Sequence, residues 1–278
     1  MFFSRDDIWS HTHFFAQRPT EWQSFDWERD HVRLTEEYLQ LFENAQEGQL
    51  CGEASTQYLA ARRTAERIVR LNPEAKIIIM IRNPVDRAYS EYWHAVRTHR
   101  AIYSFEKQMQ WEPASVLYRG MYKDQIANYF DVFPRKQVYV CVFEKFIKAM
   151  QEEVNNLCHY IGAQESIDIS KNYDTRKNEA KTPSSVRLHL LLNSITRMIG
   201  SDIIYDTIGR SSKNGVLQRI INMIARKNLR GSQYPPMRDD TRRHLEILYR
   251  RENDGLSDLI GTDLAEHWAY LNDGSRSP

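Results

Sequence analysis

The chain has 278 residues, 41% of them hydrophobic, which is enough to bury a core of its own. Its 38 lysines and arginines stand against 37 aspartates and glutamates, so no global field directs it to nucleic acid or to an anionic membrane. Three scattered cysteines (Cys51, Cys141, Cys158) form no CxxC pair, and no stretch reaches the roughly 18 apolar residues of a membrane span or makes a signal-peptide core; the expectation is a soluble, cytoplasmic protein without a metal site or disulfide framework.

The first 45 residues are rich in Trp, Phe and His but show no clear period, and they receive no assignment. Residues 49–54 form the weakest of three short apolar runs that suggest strands. A helix follows over 60–71, where Ala61, Ala65, Ile68, Val69 and Leu71 recur near helical spacing with arginines opposite. Asn72-Pro73 ends it, because the residue before proline is pushed out of helical geometry. The run KIIIMI over 76–81 is continuous and β-branched, which suits a strand buried on both faces. Asn83-Pro84 opens the next helix, with proline at the first position, where its missing N–H is not needed. A helix over 122–133 stops before Pro134, a second buried strand QVYVCVF covers 137–143, and a helix over 146–161 stops at Gly162. The polar stretch 164–185 reads as a surface loop or flap. Helices over 186–199 and 216–225, a loop RGSQYPPM over 230–237, and an amphipathic helix from about 239 to 251 complete the chain. The alternation predicts an α/β fold, a parallel central sheet flanked by helices, in a single domain spanning 1–278.

Arg82 follows directly on the KIIIMI strand, at the carboxyl edge where open parallel sheets bind ligands. The helix starting at Pro84 offers its first N–H groups there, an anion site by geometry and dipole. Arg87, Ser90 and Glu91 lie further along the same helix. An arginine fork plus the Ser90 hydroxyl can hold a dianionic phosphate. The same residues read equally well as an arginine paired with a carboxylate and a serine on a helix surface.

The run RNPVDRAYSEYWH over 82–94 closely resembles the 3′-phosphate motif of sulfotransferases that use 3′-phosphoadenosine 5′-phosphosulfate (PAPS). GEASTQYL over 52–59 resembles that family's strand-and-loop segment beside the acceptor. YRGMYKDQIANYFDVFP over 118–134 resembles the helix before its next core strand. RGSQYPPM resembles the late loop that closes over the nucleotide, with Arg230 where lysine is frequent. The resemblance covers about residues 49–268 and is nearest to the bacterial and heparan-sulfate-type branch. It implies a P-loop-nucleotide-transferase-like fold, PAPS as sulfate donor, and a hydroxyl or amine acceptor, for that branch on a carbohydrate. It assigns the nucleotide to Arg82, Ser90, Arg230, Gly231, Ser232, Gln233 and Tyr234, with no catalytic residue.

The family's KxGTTSL-type phosphate loop and its Lys-Glu base precede the part that Met1-Phe2-Phe3 or His13-Phe14-Phe15 resembles, so the expectation is an N-terminally truncated domain. His11 or His13 as a substitute base competes with a structural histidine. Trp9, Trp22 and Trp27 as sugar-stacking residues compete with core packing. A non-catalytic remnant that binds nucleotide or a partner, and a P-loop kinase, stand as alternative functions.

Overall fold

The structure, a computed structural model, describes residues 2–4, 27–163, 167–169, 182–199, 216–231 and 233–272. In chain order the elements are α1 (Trp27–Leu39), α2 (Thr64–Leu71), β1 (Ile77–Ile81), α3 (Pro84–Arg97), α4 (Phe105–Trp111), α5 (Pro113–Val116) and α6 (Tyr122–Val132). They continue with β2 (Val138–Val142), α7 (Phe143–Lys148), α8 (Met150–Ile161), β3 (Thr182–Pro183), α9 (Val186–Ile199), α10 (Val216–Asn228), β4 (Leu229–Gly231), α11 (Asp239–Glu252) and α12 (Leu256–Ile260). Two compact units interleave along the chain: residues 1–84, 121–172 and 249–278 form one, and 85–120 and 173–248 the other.

The first unit is built on the parallel pair of β1 and β2, in register from Ile77 opposite Val138 to Ile81 opposite Val142. Phe133, Ile81, Ile126 and Trp268 are fully buried around it. Each such side chain contributes roughly 1.5–3 kcal/mol by leaving water. Punctuation sets the element ends: Asn72 leaves helical geometry before Pro73, and Gly162 closes α8 at φ 85°, a left-handed conformation that only glycine adopts without strain. Phe3 packs edge-on against Tyr58 (centroids 5.6 Å apart), and its carbonyl accepts from the buried Arg67 guanidinium at 2.9 Å.

Several expectations need correction, among them the 146–161 helix, which is two helices, α7 and α8, parted at Ala149 where the backbone leaves helical geometry. Residues 49–54 are exposed and form no strand; among the described residues no strand pairs with them, and an extended segment without a partner strand has no ladder to hold it. The run in β1 is not buried on both faces: Ile79 and Ile81 are buried, but Ile78 and Met80 on the other face are 45% and 48% exposed. The 60–71 helix starts later, at Thr64. Helices α1, α4, α5 and α12 were not foreseen.

In the second unit α3 presents Val85, Ala88, Ala95 and Val96 to the interior. Asn193 on α9 donates to the Val96 and Ala101 carbonyls at 3.0 and 2.7 Å, tying the last turn of α3 to the segment that follows it. Its Oδ1 lies 2.6 Å from Nδ1 of His99, which stacks on the buried His189 (5.6 Å, 14°). Asp86 in the first turn of α3 pairs with Arg242 of α11 at 3.0 Å. The small antiparallel pair β3–β4 sets Thr182 opposite Gly231. Among the described residues no helix is long and apolar enough to cross a membrane.

Candidate functional site

Arg82 leaves β1 as the last residue before the turn into α3, and its surroundings belong to the first unit. Its side chain is half-buried, with the guanidinium 5.3 Å from the centre of the Phe143 ring. Its carbonyl accepts from the Tyr122 hydroxyl at 2.9 Å, which fixes the backbone at the strand end. Among the described residues it has no carboxylate partner: the neighbouring acid, Glu144, accepts from the Asn83 N–H at 2.9 Å and from the Trp268 indole at 3.1 Å. A guanidinium braced by an aromatic face, with no ion pair among the described residues, suits an incoming anion. Glu144 also occupies one of the N–H groups ahead of α3 that the sequence offers to a ligand.

The other helix residues separate. Ser90 is half-buried on α3. Arg87 and Glu91 do not stand ready for a phosphate. Arg87 donates to the Val116 carbonyl in a short contact, and Glu91 pairs with Arg100 at 3.2 Å. Arg119 lies near this pair; burial lowers its pKa to about 10, which still leaves it charged at neutral pH.

The late loop is held against α3 by aromatic contacts and backbone acceptors. Thr182 donates to the Gln233 carbonyl at 2.9 Å, and Tyr89 donates to the Pro235 carbonyl at 2.8 Å. Tyr234 lies flat on Trp93, with ring centres 5.6 Å apart and planes 8° from parallel. Tyr89 and Trp93 flank Ser90 on the same helix, so the loop and Ser90 share one scaffold. Arg230 and Gly231 lie in β4, Gln233 is exposed and Tyr234 half-buried. Ser232, His11, His13, Trp9 and Trp22 lie outside the described residues, as does the side chain of Trp27. Spacing missed Tyr89, Trp93, Phe143 and Glu144. The first two carry a signal in hindsight, an aromatic pair at i, i+4 on one helix face.

Two open clefts lie in the second unit. One of about 230 Å³ is walled by Tyr89, Tyr92, Trp93, Phe105 and Met237. The other, of about 520 Å³, is lined by Glu106, Met109, Pro113, Asp240 and His244 among others. The Glu106 carboxylate accepts from the Thr241 hydroxyl at 3.0 Å, and Asp240 is tied to Arg238. Cysteine chemistry has no support at Cys141, whose thiol is pushed up to about 11 by burial and by Glu153.

The sequence pattern of the sulfotransferase domain family matches residues 8–198. Among curated proteins the chain is 23% identical over 135 residues to human heparan sulfate glucosamine 3-O-sulfotransferase 6, an overlap covering 45% of this chain and 39% of that protein. It is 26% identical over 223 residues to the bifunctional heparan sulfate N-deacetylase/N-sulfotransferase 1 of Xenopus laevis, covering 75% of this chain and 22% of that one. The chain thus spans well under half the length of these relatives. A crystal structure of a sulfotransferase from Alicyclobacillus acidocaldarius superposes with a TM-score of 0.56 at 26% identity, covering 85% of this chain and 73% of that one.

Proposed function

Because this chain belongs to the sulfotransferase domain family, whose sequence pattern spans most of its length, we propose that it binds PAPS and transfers the sulfuryl group to a hydroxyl or amine of a carbohydrate. The observation that carries the nucleotide assignment is the half-buried Arg82, braced on Phe143 and without a carboxylate partner among the described residues. Its donor set fits a dianionic phosphate: a planar fork of N–H groups from Arg82 and a hydroxyl from Ser90 eight positions on.

PAPS supplies the sulfuryl group and the phosphate that leaves with the nucleotide. The chain's own part is to hold the 3′-phosphate through Arg82 and Ser90 and to close the segment from Arg230 through Gly231, Ser232, Gln233 and Tyr234 over it, where backbone amides add donors. Holding one end of the donor fixes the line along which the acceptor oxygen must approach. The carbohydrate acceptor is supported by the printed substrates of the relatives, heparan sulfate in each case. A reducing, cytoplasmic setting is supported by Cys51, Cys141 and Cys158, all free thiols.

Titration calorimetry with 3′-phosphoadenosine 5′-phosphate, followed by transfer of labelled sulfate from PAPS to a panel of polysaccharides, tests this reading. Nucleotide binding that depends on Arg82, together with labelled polysaccharide, supports it. A folded chain that ignores the nucleotide overturns it, and binding without transfer to any acceptor reduces it to nucleotide binding alone.

A further inference from the structure

Helices α9 and α10 pack on each other through Leu192, Ile221 and Ala225, with Ile195 against them. Each carries a second apolar stripe beside the one it buries. On α9, Leu188, Leu191 and Met198 recur at helical spacing, with Leu191 57% and Met198 86% exposed. On α10, Ile220, Met223 and Ile224 do the same, with Met223 50% exposed. Ile195 lies within the first stripe and also touches the shared core, so that stripe borders the seam between the helices.

The charge on these helices is one-sided. VRLHLLLNSITRMI carries two basic residues and no acid, and VLQRIINMIARKN carries three and no acid. That makes five basic residues against none, in a chain whose total charge nearly cancels. Burial raises the Glu112 pKa, and Arg197 lies close enough to offset part of that rise. The charge argument therefore rests on the exposed Arg187, Arg219 and Arg226.

We infer that the α9–α10 pair is a docking surface for an anionic phospholipid bilayer. Exposed Leu, Ile and Met beside arginines, with no acid, is the composition of helices that lie in the headgroup region, apolar side down. A soluble sulfated polysaccharide would account for the arginines but not for the apolar stripes. A second copy of this chain would account for the stripes, but a two-fold contact would bring the same basic residues together with no acid on either helix to offset them. A bilayer satisfies both features. The inference is independent of Arg82 and of the nucleotide.

The test is co-sedimentation of the full chain with vesicles of phosphatidylcholine, alone or mixed with phosphatidylserine, at low and at high salt. The chain should pellet with the anionic vesicles, remain in solution with phosphatidylcholine alone, and be released by high salt. Arg219→Gln and Arg226→Gln should each weaken binding roughly fivefold. The combined Leu191→Ser, Met198→Ser, Met223→Ser variant should weaken it by more than about tenfold through lost apolar insertion. All three positions are exposed, and an unchanged circular dichroism spectrum confirms that the variant folds. Failure of the wild-type chain to pellet with anionic vesicles overturns the inference, as does pelleting that the triple variant leaves intact. A dimer seen by sedimentation velocity, abolished by the same substitutions in the absence of vesicle binding, overturns it in favour of self-association.

Discussion

The corner at Arg82, in the first unit, and the loop at 233–235, in the second, are held by different means. Arg82 sits at the junction of one strand and one helix, and what it offers is a charge. The loop comes some 140 residues after α3 and is held there by a stacked ring pair and two hydrogen bonds to carbonyls. A charge set at a strand end is written in local spacing. A loop seated by packing depends on partners that only the folded chain brings together.

The largest expected effect tests the charge. Arg82→Ala should weaken binding of 3′-phosphoadenosine 5′-phosphate by about 1–3 kcal/mol, roughly 5- to 150-fold, the range for a charge-assisted contact. Calorimetry on the folded variant checks it, and unchanged affinity removes the corner from the site. Arg82→Lys should recover only part of the loss, because an ammonium cannot present the fork.

Acid should act on the second unit, through a stacked histidine pair on α9 and just after α3. His189 is fully buried, and burial, with His99 beside it, lowers its pKa from the ordinary 6.5 to about 4. The His99 ring is shifted in the same direction by burial. The folded state thus favours neutral rings, and the stability this contributes is complete above pH 6.5. It drains away as pH falls from there towards 4, at up to about 1.4 kcal/mol per pH unit for His189 alone. Urea unfolding at pH 7.5 and pH 5 should show the drop, and His189→Leu should flatten it. An equal pH dependence in that variant would remove the histidine pair from the explanation.

These two regions also show what the amino-acid order reveals. Pro84 at the start of α3, Pro134 after α6 and Gly162 after α8 act through backbone geometry, so those boundaries are legible in isolation. The parallel strands were equally plain, but not their burial: IIIMI looks apolar on both faces, and only the folded chain leaves Ile78 and Met80 in water. The 49–54 run failed because strand formation needs a partner, which no single segment reveals. At the site, the spacing of Arg82 and Ser90 was legible. The support of Phe143, Glu144 and Tyr122 was not, since each reaches Arg82 or its neighbour from 40 to 61 residues away.

Removing the ring stack isolates the packed region. Tyr234→Ala deletes a half-buried ring from a loop, with no element interior to collapse. It should weaken nucleotide binding by about 0.5–1.5 kcal/mol, the value of an aromatic pair beyond its area, with little change in melting temperature. Tyr234→Phe keeps the ring and should restore most of the affinity. If both variants match the wild type, the loop is not part of the nucleotide site, whatever Arg82 does.

The smallest effect comes from a single hydroxyl. Tyr89→Phe keeps the ring that meets Phe105 and Trp93 and removes only the donor to the Pro235 carbonyl. A neutral hydrogen bond of this kind contributes about 0.5–1.5 kcal/mol, and water can replace part of it at an exposed contact, so a two- to fivefold loss of nucleotide affinity is the expected ceiling. Burial raises the Tyr89 phenol above its ordinary value, so the donor stays protonated through the working range and the loss should be independent of pH. That constancy separates it from the histidine effect, which grows as pH falls. Combined with Tyr234→Ala the change should be less than additive, because both side chains hold the same few residues and removing one already frees the loop. Full additivity would mean that Tyr89 and Tyr234 act independently, and that the loop is not held as one piece.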